Sequence, residues 1–486
     1  MRNIFLLAVS FLVSCGVYAQ SSDFEKYKAK ANAKFADYKA ESQKKFSEHR
    51  AKMNAQYADF MSKNWEKFNA FAGDKAPELP EPPKPVVKSE PTPVPTKSLS
   101  ISSITELEEF DMPEPSTPLD EAPAEMPLDY LFSFHNTPCK VHLNAAMKYS
   151  LASADEASSA QMWQFMSDNN YDYVADDCLD IRQQLSLNDW GYIQLVKQLS
   201  NSFYRKDSNE SAMMQHYILT QSGYKSRIMR NGDNLVLGIA FANQLYNLSY
   251  ILIDNAKFYI FNPHGKASGG YYVYDNKFEG EKAASVQIKK EPIFFYEPVA
   301  SKSFASTRYP QISAQVRPNK NLIEFYNSYP PTSNWNYYAE ASLSNKVKRS
   351  LYPMLKKQIK GKTQEEAANM LINFVQTAFE YATDDEQFGY ERPLFGDEIF
   401  YYPYSDCEDR SILYSILVRD LLGLDVVLLY FPGHLATAVK FTEDISGYYL
   451  TIDNEKYLIC DPTYIGAPIG DCMPDFQNVS AEIIKI

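Results

Sequence analysis

The chain lacks any excess of positive charge: its 486 residues carry 48 Lys and Arg against 61 Asp and Glu, a formal charge of -13 with a pI near 5.1. Phosphate binding relies on clustered cations that release counterions, and no such cluster occurs in the folded part, so nucleic acid is excluded as a partner. Also missing are a Walker loop, a dinucleotide-binding glycine fingerprint, an HExxH helix and a CxxC pair, so no metal and no nucleotide or other cofactor is implied. The apolar run Ile4 to Val13 is too short to cross a bilayer.

That run fits an export signal instead. Arg2 precedes it and Val17-Tyr18-Ala19 forms a cleavage-like end before Gln20, which marks 1–19 as a signal peptide. Leu12-Val13-Ser14-Cys15 also reads as a lipobox, with Cys15 as the lipidated mature N-terminus. The first reading gives a periplasmic or secreted protein, the second an outer-membrane lipoprotein. The remaining cysteines, Cys139, Cys178, Cys407, Cys460 and Cys472, are odd in number, so at least one stays free or pairs between chains. Cys407 is the expected free thiol; Cys460 and Cys472 fit a bridge or two buried reduced thiols.

Aromatics organise the N-terminal part. Phe24, Phe35, Phe46, Tyr57 and Phe68 recur every eleven residues, with Tyr27, Tyr38, His49, Phe60 and Phe71 three positions on. Eleven residues over three turns keep one stripe with little drift, which predicts a helix over 20–72, about 75 Å long at 1.5 Å per residue. Such a stripe needs a cover: a second copy of the helix, a membrane surface or the protein's own domains. Residues 73–128 then turn to Pro, Glu, Ser and Thr, a composition too poor in apolar surface to order itself, and read as a disordered tether.

After the tether the chain repeats a pattern about 190 to 200 residues on. Leu131 to Asn136 parallels Leu322 to Asn327, both read as extended. Leu195 to Tyr204 parallels Asn373 to Tyr381, and apolar helices Asn209 to Ser222 and Cys407 to Leu422 each end on a glycine, Gly223 or Gly423. Strands follow, and Tyr259 to Pro263 matches Leu458 to Pro462. An α+β protein with a middle lobe at 129–264, a connecting strand-like segment at 265–320 and a C-terminal lobe at 321–486 is expected.

The chemistry lies in the second lobe. Cys407 opens a helix, where unpaired N–H groups and the dipole favour thiolate. Asp406, Glu408 and Asp409 are placed to cap the same helix end, but their charges oppose thiolate, so a cation must outweigh them. His434 starts a strand after the Pro432-Gly433 turn, and a histidine beside a cysteine can take its proton and hold an ion pair. Asp461, after another strand, can hold the far ring nitrogen.

Asp406-Cys407-Glu408-Asp409 opening a helix, Gly433-His434 opening a strand and Cys460-Asp461-Pro462 ending one resemble the transglutaminase-like superfamily, in particular bacterial transglutaminase-like cysteine peptidases, over residues 321 to 475. The resemblance implies a papain-related α+β core with a central nucleophile helix packed on an antiparallel sheet. It implies acyl transfer or hydrolysis at a glutamine or peptide amide through a thioester, with Cys407 as nucleophile, His434 as general base and acid, and Asp461 as its orienter. The partner is then a protein or peptide. An oxyanion donor is required too, for which the Cys407 N–H and a side chain among Tyr401, Tyr402 and Tyr404 are candidates.

In the middle lobe the matching helix starts Asn209-Glu210-Ser211, no histidine occupies the strand entry after Gly223, and Asn262 stands where the second lobe has Asp461, so that copy reads as degenerate. About twenty extra residues precede Cys407, rich in aromatics from Phe388 to Tyr404, and are expected to shape the acyl-donor cleft. Two other functions stay open: a non-enzymatic envelope scaffold, and an amidase on cell-wall peptides or glycoproteins.

Overall fold

The structure is a computed structural model that describes residues 22–63, 65–77, 85–88, 94–261, 264, 270–330, 332 and 334–486. The signal segment 1–19 with Cys15, and Asn262 with Pro263, lie outside the described residues.

Helix α1 spans Ser22–Met61. Its Lys, Glu, Ala and Gln are strong helix formers, and ion pairs such as Lys45–Glu41 (2.8 Å) link successive turns. In its first part the aromatic stripe is open, with Phe35 55% and Tyr38 69% exposed. From Met53 onward it belongs to the main body, where Met53, Tyr57 and Met61 are buried. The helix stops eleven residues short of the expected 72. Ser62 and Lys63 close it in a turn, and Trp65 Nε1 donates to the Met61 carbonyl at 2.8 Å. Phe68 and Phe71 instead join a sheet, where Phe71 stacks on Tyr250 at 5.3 Å. Sheet pairing satisfies both backbone and rings, which a solvated helix end does not.

The chain continues through β1 (Glu66–Phe68), β2 (Lys97–Ser98), β3 (Ile101–Thr105) and the hairpin β4 (Tyr130–Phe134) and β5 (Thr137–Val141). Helices α2 (Glu156–Asp168), α3 (Tyr171–Gln184), α4 (Asp189–Phe203) and α5 (Asn209–Gln221) follow. Next come β6 (Ser226–Asn231), β7 (Asn234–Ala240), β8 (Tyr250–Ile253), β9 (Ala256–Phe261) and β10 (Tyr271–Val273). A hairpin of β11 (Lys302–Ala305) and β12 (Ser313–Val316) leads to α6 (Lys320–Asn327), α7 (Trp335–Glu340), α8 (Asn345–Ile359), α9 (Gln364–Thr377), α10 (Asp384–Gln387) and α11 (Cys407–Leu422). The last strands are β13 (Val426–Phe431), β14 (His434–Val439), β15 (Tyr448–Ile452), β16 (Glu455–Cys460) and β17 (Ala481–Lys485).

The architecture is α+β, with two sheets ordered β1-β10-β6-β7-β9-β8 and β2-β15-β16-β14-β13-β17-β3. Each contains four consecutive strands in the order first, second, fourth, third. The registers agree as well: Asn231 faces Asn234 as Phe431 faces His434, and Leu237 faces Phe261 as Thr437 faces Cys460. Both third-to-fourth turns are Asp-Asn pairs with positive φ, 49° and 61° at Asp254-Asn255 and 50° and 65° at Asp453-Asn454, the twist that two-residue hairpins favour. The helices ahead of the sheets end alike, at Gly223 (φ 89°) and Gly423 (φ 67°), where a left-handed residue costs glycine little.

Several expected boundaries change. The segment 73–128 is not wholly a free tether: β2 runs parallel to β15 and β3 parallel to β17, capping both edges of the second sheet. Its Leu99-Ser100-Ile101 stretch supplies what the prolines around it cannot, an apolar side chain to bury, and Leu99 is buried. Leu322 to Asn327 is helical, unlike Leu131 to Asn136. Asn319 caps it, and Leu322, Ile323, Phe325 and Tyr326 fall on one buried helical face. From 265–320, β10 joins the first sheet and β11–β12 form a separate hairpin. The two lobes also share one hydrophobic core. Polar contacts cross between them, such as Trp190 Nε1 to Ser328 Oγ (3.1 Å) and Asn243 Nδ2 to Tyr337 Oη (2.7 Å). Cys139, Cys178, Cys407, Cys460 and Cys472 are all free and buried, so Cys460 and Cys472 form no bridge.

Candidate active site

Helix α11 carries Cys407 at its first position, and the helix is buried from there to Val418, more completely than the one-sided apolar face in its sequence suggests. Its two long neighbours in the C-terminal lobe, α9 and β14, hold it by side chains as well as by packing. Arg410, wholly buried, donates to the carbonyls of Gln376 (3.3 Å) and Phe379 (2.8 Å) and to Ser405 Oγ (3.2 Å). Ser411 Oγ donates to the Leu435 carbonyl at 2.9 Å, one residue beyond His434. The start of α11 is thereby tied to the end of α9 and to the start of β14.

His434 is buried, and its Nε2 lies 2.8 Å from Asp461 Oδ2. The ring lies flat on Phe476, with centroids 5.0 Å apart and an interplanar angle of 4°. Burial opposes the imidazolium, but the charge and hydrogen bond of Asp461, together with the nearby Cys407 sulfur, outweigh it and push His434 up to about 10. Nδ1, the nitrogen away from Asp461, is buried without a hydrogen-bond partner. Asp461 is held in turn: its Oδ1 accepts from the N–H groups of Thr463 (2.8 Å) and Tyr464 (3.2 Å). Gln376 Nε2 gathers the carbonyls of Asp461 (3.2 Å), Tyr464 (2.8 Å) and Ala467 (3.1 Å), and its Oε1 accepts from Gly466 N–H (3.2 Å). This one amide fixes the loop that presents the carboxylate.

Around the thiol the carboxylates are not simple caps. The Cys407 thiol donates to Glu408 Oε2 at 3.1 Å. Asp409 accepts from Leu394 N–H (2.8 Å) and Asp406 N–H (3.3 Å), so it ties the preceding segment to the helix. Burial and mutual repulsion raise the whole group: Asp384 to about 10, Asp406 to about 6, and Glu408 and Asp409 well above the carboxylate range. Asp384, Glu391 and Glu408 bring carboxylate oxygens within 4.8 Å of one another, the one group among the described residues with the spacing to share a cation. No short spacing in the sequence announces it, since the three come from separate turns.

The segment before Cys407 is the largest difference between the lobes: residues 378–406 link α9 to α11, whereas residues 204–208 link α4 to α5. Within it, Tyr381 has a buried hydroxyl without a partner, its ring under the Arg410 guanidinium at 5.4 Å. Burial, then the charges of Cys407, Asp406 and Glu408, raise its pKa. The contacts of Tyr401, Tyr402 and Tyr404 lie elsewhere. Tyr402 Oη donates to Asn327 (2.7 Å) and its ring backs Arg392 (5.2 Å). The Tyr401 carbonyl accepts from Lys302 (2.5 Å), and Tyr404 N–H donates to Gln387 (3.2 Å).

In the middle lobe, the shared glycine and strand registers set Asp207 opposite Cys407 and Asn234 opposite His434. Asp207 precedes α5 altogether, because that helix is shorter. Ser211 Oγ donates to Asn201 (2.7 Å), a structural bond. Gln376, Arg410, Phe476 and Tyr381 are the site residues that sequence reasoning missed. A glutamine among the apolar residues of α9 and an arginine three positions after the cysteine were the only available signals. Comparison of the chain with known protein families, with curated proteins and with solved structures returns no match.

Proposed function

We propose that the C-terminal lobe is a transglutaminase-like cysteine acyltransferase or peptidase, exported from a bacterial cell, and that the middle lobe is a degenerate duplicate of it. What supports this reading above all is the His434 Nε2 to Asp461 Oδ2 contact of 2.8 Å, made on a ring that the Cys407 sulfur also influences. The shared strand order and turn chemistry of the two sheets support the duplication.

In the reaction, Asp461 accepts a hydrogen bond from Nε2–H, which leaves Nδ1 to take the thiol proton. The thiolate attacks an amide carbonyl of a glutamine side chain or peptide, and the electron pair moves to oxygen. The Cys407 N–H, at the unpaired start of a helix, and the Tyr381 hydroxyl are the donors for that oxyanion. As the C–N bond breaks, the leaving nitrogen takes the proton from Nδ1, and the acyl group stays on sulfur as a thioester. Water or an amine, deprotonated by Nδ1, then releases it.

A second reading also has its observation. The thiol donates to Glu408 rather than to His434, the arrangement of a resting, unreactive cysteine, which favours a non-enzymatic envelope scaffold. Iodoacetamide at neutral pH separates the two. Alkylation of Cys407 much faster than that of Cys139, Cys178, Cys460 and Cys472 is the enzyme's result; equal or slower alkylation defeats it.

A further inference from the structure

Between α6, α7 and the segment that precedes α11 lies a cavity of about 300 Å³ that neither Cys407, His434 and Asp461 nor their supports occupy. Tyr326, Trp335, Tyr338, Tyr390, Arg392 and Phe395 are among the residues that line it, together with Tyr246 of the middle lobe. The inner wall is set by ring packing: Phe395 stacks on Tyr326 at 4.3 Å and lies 4.6 Å from Tyr338. Tyr390 stands at the rim, 57% exposed. Arg392 is anchored through Nη2, to Asn327 (2.7 Å) and Glu398 (2.5 Å), while its Nη1 is buried and unpartnered. The guanidinium packs against the rings of Phe388 (5.0 Å) and Tyr402 (5.2 Å), which fixes this side of the wall.

We propose that this cavity is a specificity pocket for an aromatic side chain of a peptide substrate, a refinement that rests on the acyl-transfer reading. Ring faces and edges that are held rigid suit another ring, by offset stacking or edge contact. The volume sits at the small end of ligand pockets, enough for one side chain. Position supplies the rest. Glu391, on the cavity lining, has a carboxylate oxygen within 4.8 Å of one on Glu408, and Glu408 is 3.1 Å from the Cys407 sulfur. An extended peptide advances about 3.3–3.6 Å per residue, so the ring belongs one to three residues from the residue whose amide is attacked.

The test uses the full chain carrying Cys407→Ala, which removes acyl transfer and leaves occupancy as the readout. N-acetyl-phenylalaninamide, N-acetyl-leucinamide and N-acetyl-prolinamide are titrated by calorimetry or saturation-transfer NMR. The phenylalanine probe should bind roughly three- to tenfold more tightly than the leucine probe. Tyr390→Ala, at an exposed position that the fold does not need, and Tyr338→Leu, from inside, should each erase that preference with thermal unfolding unchanged in the first. No measurable binding, equal binding of all three probes, a preference for proline, or a preference that survives both substitutions overturns the proposal. Alkylation of Cys407 in the wild-type chain reports separately on the thiol chemistry: slow alkylation with ring selectivity intact would remove the acyl-transfer reading and with it the substrate role, whereas fast alkylation without ring selectivity removes only the pocket.

Discussion

The middle lobe and the C-terminal lobe set the same four-strand order behind a buried helix, and each lobe buries a histidine, yet the two histidines are poised in opposite ways. His216 on α5 is enclosed by hydroxyls, with Nε2 at 2.9 Å from Tyr274 and Nδ1 at 2.9 Å from Ser226. Burial and then the charge of Arg227 hold its pKa well below the usual value. His434 faces a carboxylate and is pushed up to about 10 despite equal burial. A ring whose neutral form is favoured and a ring whose protonated form is favoured differ by what stands within 3 Å, not by fold or depth.

That comparison can be broken at Cys407 first. Cys407→Ala should lower turnover of a peptide amide on the order of 10⁶-fold, while Asp207→Ala, at the corresponding place, leaves it unchanged; an equal loss in both would mean that the lobes do not differ as described. Next in size, Asp461→Asn should cost about 10⁴-fold in kcat, because the ring would be held in the wrong tautomer. Asn234→Ala in the other lobe should have no effect on the same assay. Tyr381→Phe should reduce kcat by about 10²–10³ while iodoacetamide alkylates Cys407 at the wild-type rate, since alkylation builds no oxyanion. A matched loss in both readouts would assign Tyr381 to packing.

The smallest effect lies in pH. His434, with its folded pKa raised to about 10, adds stability that is fully present below the unfolded value of about 6.5 and fades as pH rises toward 10. His216, with its folded pKa lowered, adds stability that is present above about 6.5 and is lost as pH falls, by about 1.4 kcal/mol per pH unit while only the unfolded state takes the proton. Urea unfolding from pH 5 to 9 should therefore show His216→Gln flattening the acid side and His434→Gln flattening the alkaline side. The same curve shape in both variants would contradict the opposed settings.

The three residues of the site were legible because each stands at the end of an element. Cys407 opens α11 and His434 opens β14 with the expected first residue, and Asp461 follows β16. The α1 stripe was legible as far as Met61, since an 11-residue period is local information. Its continuation to Phe71 was not, because the choice between one more turn of helix and a strand depended on β10, two hundred residues away. The edge strands of 97–105 failed for a similar reason, their partners being β15 and β17. Tyr401, Tyr402 and Tyr404 share the segment before Cys407, where Tyr402 Oη bonds Asn327, the Tyr401 carbonyl accepts from Lys302 and the Tyr404 N–H donates to Gln387, while Tyr381 packs under Arg410.

By itself the sequence determined the alternation of helices and strands, the caps and turns that end them, and the order Cys407, His434, Asp461 along the chain, all consequences of periodicity, backbone freedom and side-chain chemistry over a few residues. Only the tertiary structure decided that Asp461 meets Nε2, that Glu408 meets the sulfur, that Gln376 and Arg410 lock the two sides together, and that the carboxylates of the helix start are raised. Those outcomes depend on distance and on exclusion of water, and neither exists until remote segments are packed against one another.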